Sequence, residues 1–86
     1  MFARVRITEE VPVKVDEGIQ YFQDAVVSGY KTARGFKGAY LLINRQSGKM
    51  MGITLWDTEA NVPATTATPV TSATKSIEVY EVVVEP

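Results

Sequence analysis

The fold class that this sequence predicts is α+β: a four-stranded antiparallel sheet with helices on one face. Three features carry that expectation. Residues 35 to 57 read as a β-hairpin, an amphipathic stripe at helical spacing precedes it, and a β-branched strand closes the sequence after a threonine-rich crossover.

Strand 1 is predicted over residues 2 to 7, where Ala3, Val5 and Ile7 alternate with Arg4 and Arg6. Thr8, Glu9 and Glu10 and then Pro12 end it, because proline supplies no backbone donor to a ladder. Asp16 is the expected N-cap of helix 1, with Glu17 in the first turn where the helix dipole favours negative charge. Ile19, Phe22, Val26, Tyr30 and Ala33 fall on one helical stripe, and Gln20, Gln23, Asp24 and Lys31 fall off it. Gly35 supplies the C-terminal stop.

Strand 2 holds Phe36 and the run from Ala39 to Ile43, Arg45-Gln46-Ser47-Gly48 reverses the chain, and strand 3 runs from Met50 to Trp56. Asp57-Thr58-Glu59 is a helix-start signature. The segment 60 to 76 carries Pro63, Pro69 and many threonines, so helix 2 is expected to be short or broken within an irregular crossover. Strand 4 is expected over Ile77 to Val84, with Ile77, Val79 and Val83 on one face and Tyr80, Val82 and Val84 on the other.

The order β-α-β-β-α-β is the split βαβ unit of ferredoxin-like domains. It puts strands 1 and 3 in the middle, where they are expected to run parallel, and strands 4 and 2 at the edges. Two helices cover one face of such a sheet. Yet strand 3 offers Met51, Ile53 and Leu55 on one face and Met50 and Trp56 on the other, and strand 4 is apolar on both. Leaving about six aliphatic side chains in water would forgo roughly 10 kcal/mol, comparable to the whole stability of a small domain, about 5 to 15 kcal/mol. The second face is therefore expected to be covered by a copy of the same chain, giving a homodimer through its sheet faces.

A chain of 86 residues is expected to be one domain, residues 1–86, with a thin core. Its net charge is −1, and its 9 Lys and Arg are scattered among 10 acids, so no basic stripe attracts nucleic acid. Cysteine is absent, which removes disulfides, thiolate catalysis and Cys-ligated metals and fits a reducing compartment. Histidine is absent too, and with it go the usual general base near neutral pH, the usual zinc nitrogen ligand and the usual axial ligand of haem. No metal constellation and no phosphate-cradling glycine loop can be assembled. No run approaches the ~20 apolar residues of a membrane span, and the N-terminus has no signal-peptide core, so a cytoplasmic protein without membrane contact is expected.

Three segments together resemble the dimeric α+β-barrel proteins, in particular the antibiotic biosynthesis monooxygenase-like group. They are Gly35-Phe36-Lys37-Gly38 opening strand 2, Ile53 to Glu59 crossing out of strand 3, and the terminal Val79-Tyr80-Glu81-Val82. The resemblance implies two sheets packed face to face into a barrel across a two-fold axis, with one small-molecule pocket per subunit between helices and sheet. It also implies a place for Trp56, where the haem-degrading and some cofactor-free members keep a tryptophan lining that pocket. Haem-degrading members also keep an asparagine on strand 1 and a histidine on helix 2, and this sequence has neither. The activity left by the comparison is a cofactor-independent monooxygenation of a phenol- or quinone-type aromatic. In that chemistry the substrate gives electrons to dioxygen, and the protein supplies desolvation and orientation. No cofactor is expected.

The candidate pocket residues are Trp56, Tyr40, Phe22 and Thr54. Trp56 either stacks on a planar ligand or fills the core under helix 1. Phe22 and Tyr40 have core roles as their alternatives, the Tyr40 hydroxyl being able to orient a substrate oxygen, and Thr54 could add a hydroxyl on the same strand face as Trp56. Arg4 and Arg6 could hold an anionic substrate; the commoner arrangement would pair them with strand 4 glutamates such as Glu78 or Glu81. Met50 and Met51 read as adaptable packing. The second functional class open to the chain is a non-catalytic dimeric ligand-binding or interaction protein.

Overall fold

The computed structural model of the chain describes residues 1–9, 14–63 and 74–86. In chain order it holds β1 (Phe2–Glu9), a helical rod, β2 (Phe36–Asn44), β3 (Lys49–Trp56), one 3-10 turn (Glu59–Asn61) and β4 (Thr74–Glu81). The strands make one sheet in the order β2-β3-β1-β4, and every neighbouring pair is antiparallel. The central pair β1 and β3 was expected to be parallel and is not. A crossover through the helical rod leaves β1 and β2 pointing the same way with one strand's width between them. The tight hairpin then returns β3 into that gap, antiparallel to both.

The helical rod begins one residue earlier than its expected cap. Val15 opens α1 (Val15–Tyr21) with Lys14 as the cap residue, and no side chain caps it. Val15 is 1% exposed. Its burial extends the stripe of Ile19, Phe22, Val26 and Tyr30 by one turn, and this outweighs the ~1 kcal/mol that an Asp16 cap could supply. Asp16 and Glu17 keep their favourable place in the first turn. After Tyr21 the rod widens into a π-helical stretch (Phe22–Val27), in which Ser28 Oγ donates to Gln23 O at 3.2 Å, and it closes with a last α-turn, α2 (Ser28–Tyr30). Gly35 follows with φ 80°, the left-handed backbone that a helix-to-strand turn uses.

The hairpin is tied by Asn44, whose Oδ1 accepts from the backbone N–H of Gln46 and Ser47, and by Gly48 N–H donating to Asn44 O at 2.9 Å. Gly48 also takes a positive φ, 78°. Helix 2 is reduced to the 3-10 turn, as the prolines and threonines suggested. Asp57 Oδ1 organises it by accepting from Thr58 N–H and Asn61 Nδ2, and these bonds, the one to Asn61 first, hold its carboxyl below the usual range. The rest of the crossover, residues 64–73, and the expected break around Pro12 lie outside the described residues.

β4 sits three residues earlier than expected. It pairs with β1 from Thr74 to Glu81, and Val82 N–H donates to Met1 O at 2.8 Å as the final rung. Val83 and Val84 run past the start of β1 and are 79% and 83% exposed, so the strand-like apolar faces expected for them are not formed. β-branched composition signals strand wherever a partner backbone exists, and here β1 offers none beyond Met1.

Two glycines of the rod and its exit test this geometry with opposite signs. Nothing lies within 4 Å of where a Gly29 β-carbon would sit, whereas at Gly35 it would collide with the Asp57 carboxylate and Asn61. Gly29→Ala should raise stability by about 0.5–1 kcal/mol. Gly35→Ala should lower it by about 1–2 kcal/mol from backbone alone. Urea unfolding of the two variants checks both; equal shifts would contradict the structure.

Candidate functional site

Which sheet face the rod covers is fixed by three close approaches. A β-carbon on Gly18 would lie 2.7 Å from Met50 Cε, and one on Gly52 would lie 3.1 Å from Phe22 Cε2. Tyr30 meets Trp56 edge-on with ring centroids 5.2 Å apart. Met50, Gly52, Thr54 and Trp56 therefore point under the helix, and strand alternation sends Met51, Ile53 and Leu55 to the other side.

Register extends this to β1. Phe2, Arg4, Arg6 and Thr8 stand opposite Trp56, Thr54, Gly52 and Met50, and so share the helix side. Ala3, Val5 and Ile7 stand opposite Leu55, Ile53 and Met51. The apolar side of β1 thus faces away from the helix, and its two arginines face in.

Trp56 is 1% exposed. Tyr30 and Phe36 close on it edge-to-face, Phe36 at 5.4 Å between centroids, and its Nε1 donates to Thr54 Oγ1 at 2.9 Å. Thr54 is buried as well. The pair is self-satisfying: the hydroxyl of Thr54 accepts the one hydrogen bond that an indole must make when removed from water. Phe22, at the start of the π-helical stretch, lies over Gly52, two residues before Thr54 on the same face. Three of the four candidates named from the sequence therefore share one face of β3 or cover it.

Tyr40 does not. It pairs with Ile53 on the opposite face and is 63% exposed. The residue that stands beside Trp56 is Tyr30, whose place on the helical stripe four residues after Val26 was visible in the sequence as packing.

The arginines complete the helix side. Arg4 is 5% exposed and Arg6 half-buried. Arg6 Nη2 donates to Thr74 Oγ1 at 2.8 Å, while its Nε is enclosed without a hydrogen-bond partner. Burial pulls the Arg4 guanidinium below its ordinary pKa; Tyr30 opposes that shift and Arg6 adds to it. The pairing expected with Glu78 is not made, because Glu78 stands opposite Val5 on the other face, where its Oε1 accepts from Tyr80 Oη at 2.9 Å. That bond holds the Tyr80 phenol above its ordinary range. Glu81 shares the arginine face and is exposed.

Elsewhere, an open depression of about 280 Å³ lies at the hairpin end, bounded by Leu42, Ile43, Asn44, Lys49, Met50 and Met51. Trp56 sits at the opposite end of β3. Among the described residues no three of His, Cys, Asp and Glu converge to hold a metal, and no helix is long and apolar enough to cross a membrane.

The same architecture is found in solved structures. The heme-degrading protein Rv3592 of Mycobacterium tuberculosis, heme free with cleaved protein, superposes with a TM-score of 0.65 and 18% identity, over 99% of this chain and 96% of that one. The structure of the same protein, MhuD, with two hemes bound in its active site superposes with a TM-score of 0.62 and 19% identity, over 100% and 99%.

This is the subunit fold of the dimeric α+β-barrel proteins. Within them it has the antibiotic biosynthesis monooxygenase-like form, as the sequence resemblance implied. Identity below a fifth carries the barrel subunit's fold and not its activity. No family model matches the sequence. Two uncharacterized proteins of M. tuberculosis, MT2635 (strain CDC 1551 / Oshkosh) and Rv2558 (strain ATCC 25618 / H37Rv), are each 34% identical over 58 residues, 67% of this chain. Those residues are 25% of either relative, so the barrel subunit matches about a quarter of their length.

The Thr54–Trp56 bond gives the site its first test. Thr54→Val keeps the volume and removes the acceptor, leaving a buried indole N–H unsatisfied, and should cost about 1–3 kcal/mol. Chemical denaturation read by Trp56 fluorescence checks it; an unchanged midpoint would mean that the indole has another acceptor.

Proposed function

We propose that this chain is a small-molecule protein of the oxygenase type whose ligand is a planar, phenol- or quinone-type aromatic taken on the helix side of the sheet, next to Trp56. The observation that carries this is the grouping of Trp56, Thr54, Phe22 and Tyr30 with two inward-facing arginines on one face of β3 and β1. Aromatic edges offer shape for a flat ring, and the cations offer a field for its oxygen.

The chemistry that suits these residues needs no resident cofactor. A phenol oxidised to a quinone loses its hydroxyl hydrogen and one ring hydrogen and gains one oxygen atom from dioxygen; the second oxygen atom leaves as water, and all four electrons come from the substrate. The protein's part is to exclude water and to hold the ring. Haem degradation, the activity named for Rv3592, suits this chain poorly, since the sequence has no histidine to bind the iron.

A second reading, a non-catalytic ligand-binding dimer, is favoured by the closure of Tyr30 and Phe36 around Trp56. Oxygen uptake with a dihydroxynaphthalene separates the two. The oxygenase reading expects uptake above the spontaneous rate and one atom of labelled oxygen per quinone formed. Binding with background uptake leaves the binding protein.

The apolar side of β1 supports assembly as a homodimer through the open sheet faces. Val5, Ile7, Met51, Ile53, Leu55, Tyr40 and Leu42 lie on that side, and Tyr40 and Leu42 are 63% and 51% exposed in the single subunit. In such a barrel Tyr40 would be covered by the partner rather than by its own helix. Light scattering should give about twice 9.5 kDa. Ile53→Asp, between Val5 and Tyr40 on the open face, should return a monomer of lower stability; a dimeric variant with an unchanged melting temperature would place the interface elsewhere.

A further inference from the structure

We propose that Arg4 and Arg6 form an anion subsite on the helix side of the sheet, which takes the ionised oxygen of a phenolic ligand whose ring lies toward Trp56. The proposal rests on the aromatic-ligand reading and adds the ionisation state in which the ligand is held.

Four observations converge on it. The two arginines are alternate residues of one strand, so their Cα atoms are roughly 7 Å apart and their side chains leave the sheet on the same side. Arg4 stands opposite Thr54, the acceptor of the Trp56 indole, which puts the cations one strand away from the aromatic cluster. Arg6 stands opposite Gly52, a position without a side chain, so nothing from β3 fills the space beside its guanidinium except the Phe22 ring above. Arg6 meets a neutral hydroxyl through Nη2 and keeps an enclosed Nε without a hydrogen-bond partner.

Charge compensation within the chain is thin. Every Asp and Glu among the described residues is solvent-exposed, and residues 64 to 73 contain no acid. Two like charges drawn out of water beside one another destabilise a fold unless an anion joins them. A phenolate would do so, and its proton would pass to the solvent buffer. A sequence without histidine would then need no side-chain base to ionise its ligand: the field of two guanidinium groups shifts the equilibrium instead.

The probe is 4-nitrophenol, whose phenolate absorbs in the visible, with 4-nitroanisole as its neutral counterpart and inorganic phosphate as a charge-only ligand. An apolar pocket raises the pKa of a bound phenol, and a cationic one lowers it. The subsite predicts that bound 4-nitrophenol ionises about one pH unit or more below the free compound, a tenfold preference for the anion. Arg6→Met should abolish the shift, with a ligand-free melting temperature no lower than wild type, and Arg6→Lys should restore part of it.

If 4-nitroanisole binds as tightly and the phenol's pKa is unshifted or raised, the anion subsite is wrong and the aromatic site stands. If phosphate raises the melting temperature of wild type and not of Arg6→Met while neither nitro compound binds, the subsite stands and the aromatic reading falls. Should none of the three ligands act on the wild-type chain, both are overturned. A ligand-free Arg6→Met that melts well below wild type would make Arg6 a structural partner of Thr74 and would also overturn the subsite.

Discussion

A sheet that is apolar on both sides, with one helical rod to cover it, is the constraint from which the other features follow. The rod seals Met50 and Trp56, and it approaches closely enough that Gly18 and Gly52 have little room for side chains. The other side carries the alternating aliphatic residues of β1 and β3, and they are aimed away from the helix. In an ordinary two-layer domain β1 would turn that side to its helix and its arginines to solvent. This chain does the reverse. The inversion makes sense where the open face has its own apolar cover and the helix side has a use for positive charge.

Much of this architecture is legible in the amino-acid sequence. Period-2 alternation locates β1 and the hairpin, and helical spacing from Ile19 to Tyr30 locates the rod, because both patterns report local geometry directly. Alternation divides a strand into two faces without saying which one meets the helix, so the inward turn of Arg4 and Arg6 emerges only from the packing of the rod on the sheet. For the same reason Tyr40 and Trp56, both aromatic and both on the hairpin, read as companions although they lie on opposite faces. The end of β4 differs from expectation because Val83 and Val84 have strand propensity without a strand beside them. The cap position differs because Asp16 is a good cap in isolation, and the burial of Val15 wins.

Chemically, the helix side is defined by what the sequence lacks as much as by what it holds. With no histidine or cysteine in the chain, acid–base work near neutral pH falls to the ligand and to the field it meets. Trp56 is fixed by Tyr30, Phe36 and Thr54, so it offers a rigid wall and not a mobile clamp. Rigidity of that kind suits a site whose contribution is orientation and electrostatics, since groups already held in place need no reorganisation when charge develops.

Whether the second apolar face is covered by a second copy decides the account most directly, and the concentration dependence of thermal unfolding measures it. Where folding and association are one equilibrium, mass action raises the melting temperature with protein concentration. The account predicts a steady rise across a hundredfold range from low micromolar upward. A melting temperature independent of concentration, for a particle of 9.5 kDa throughout, would contradict it.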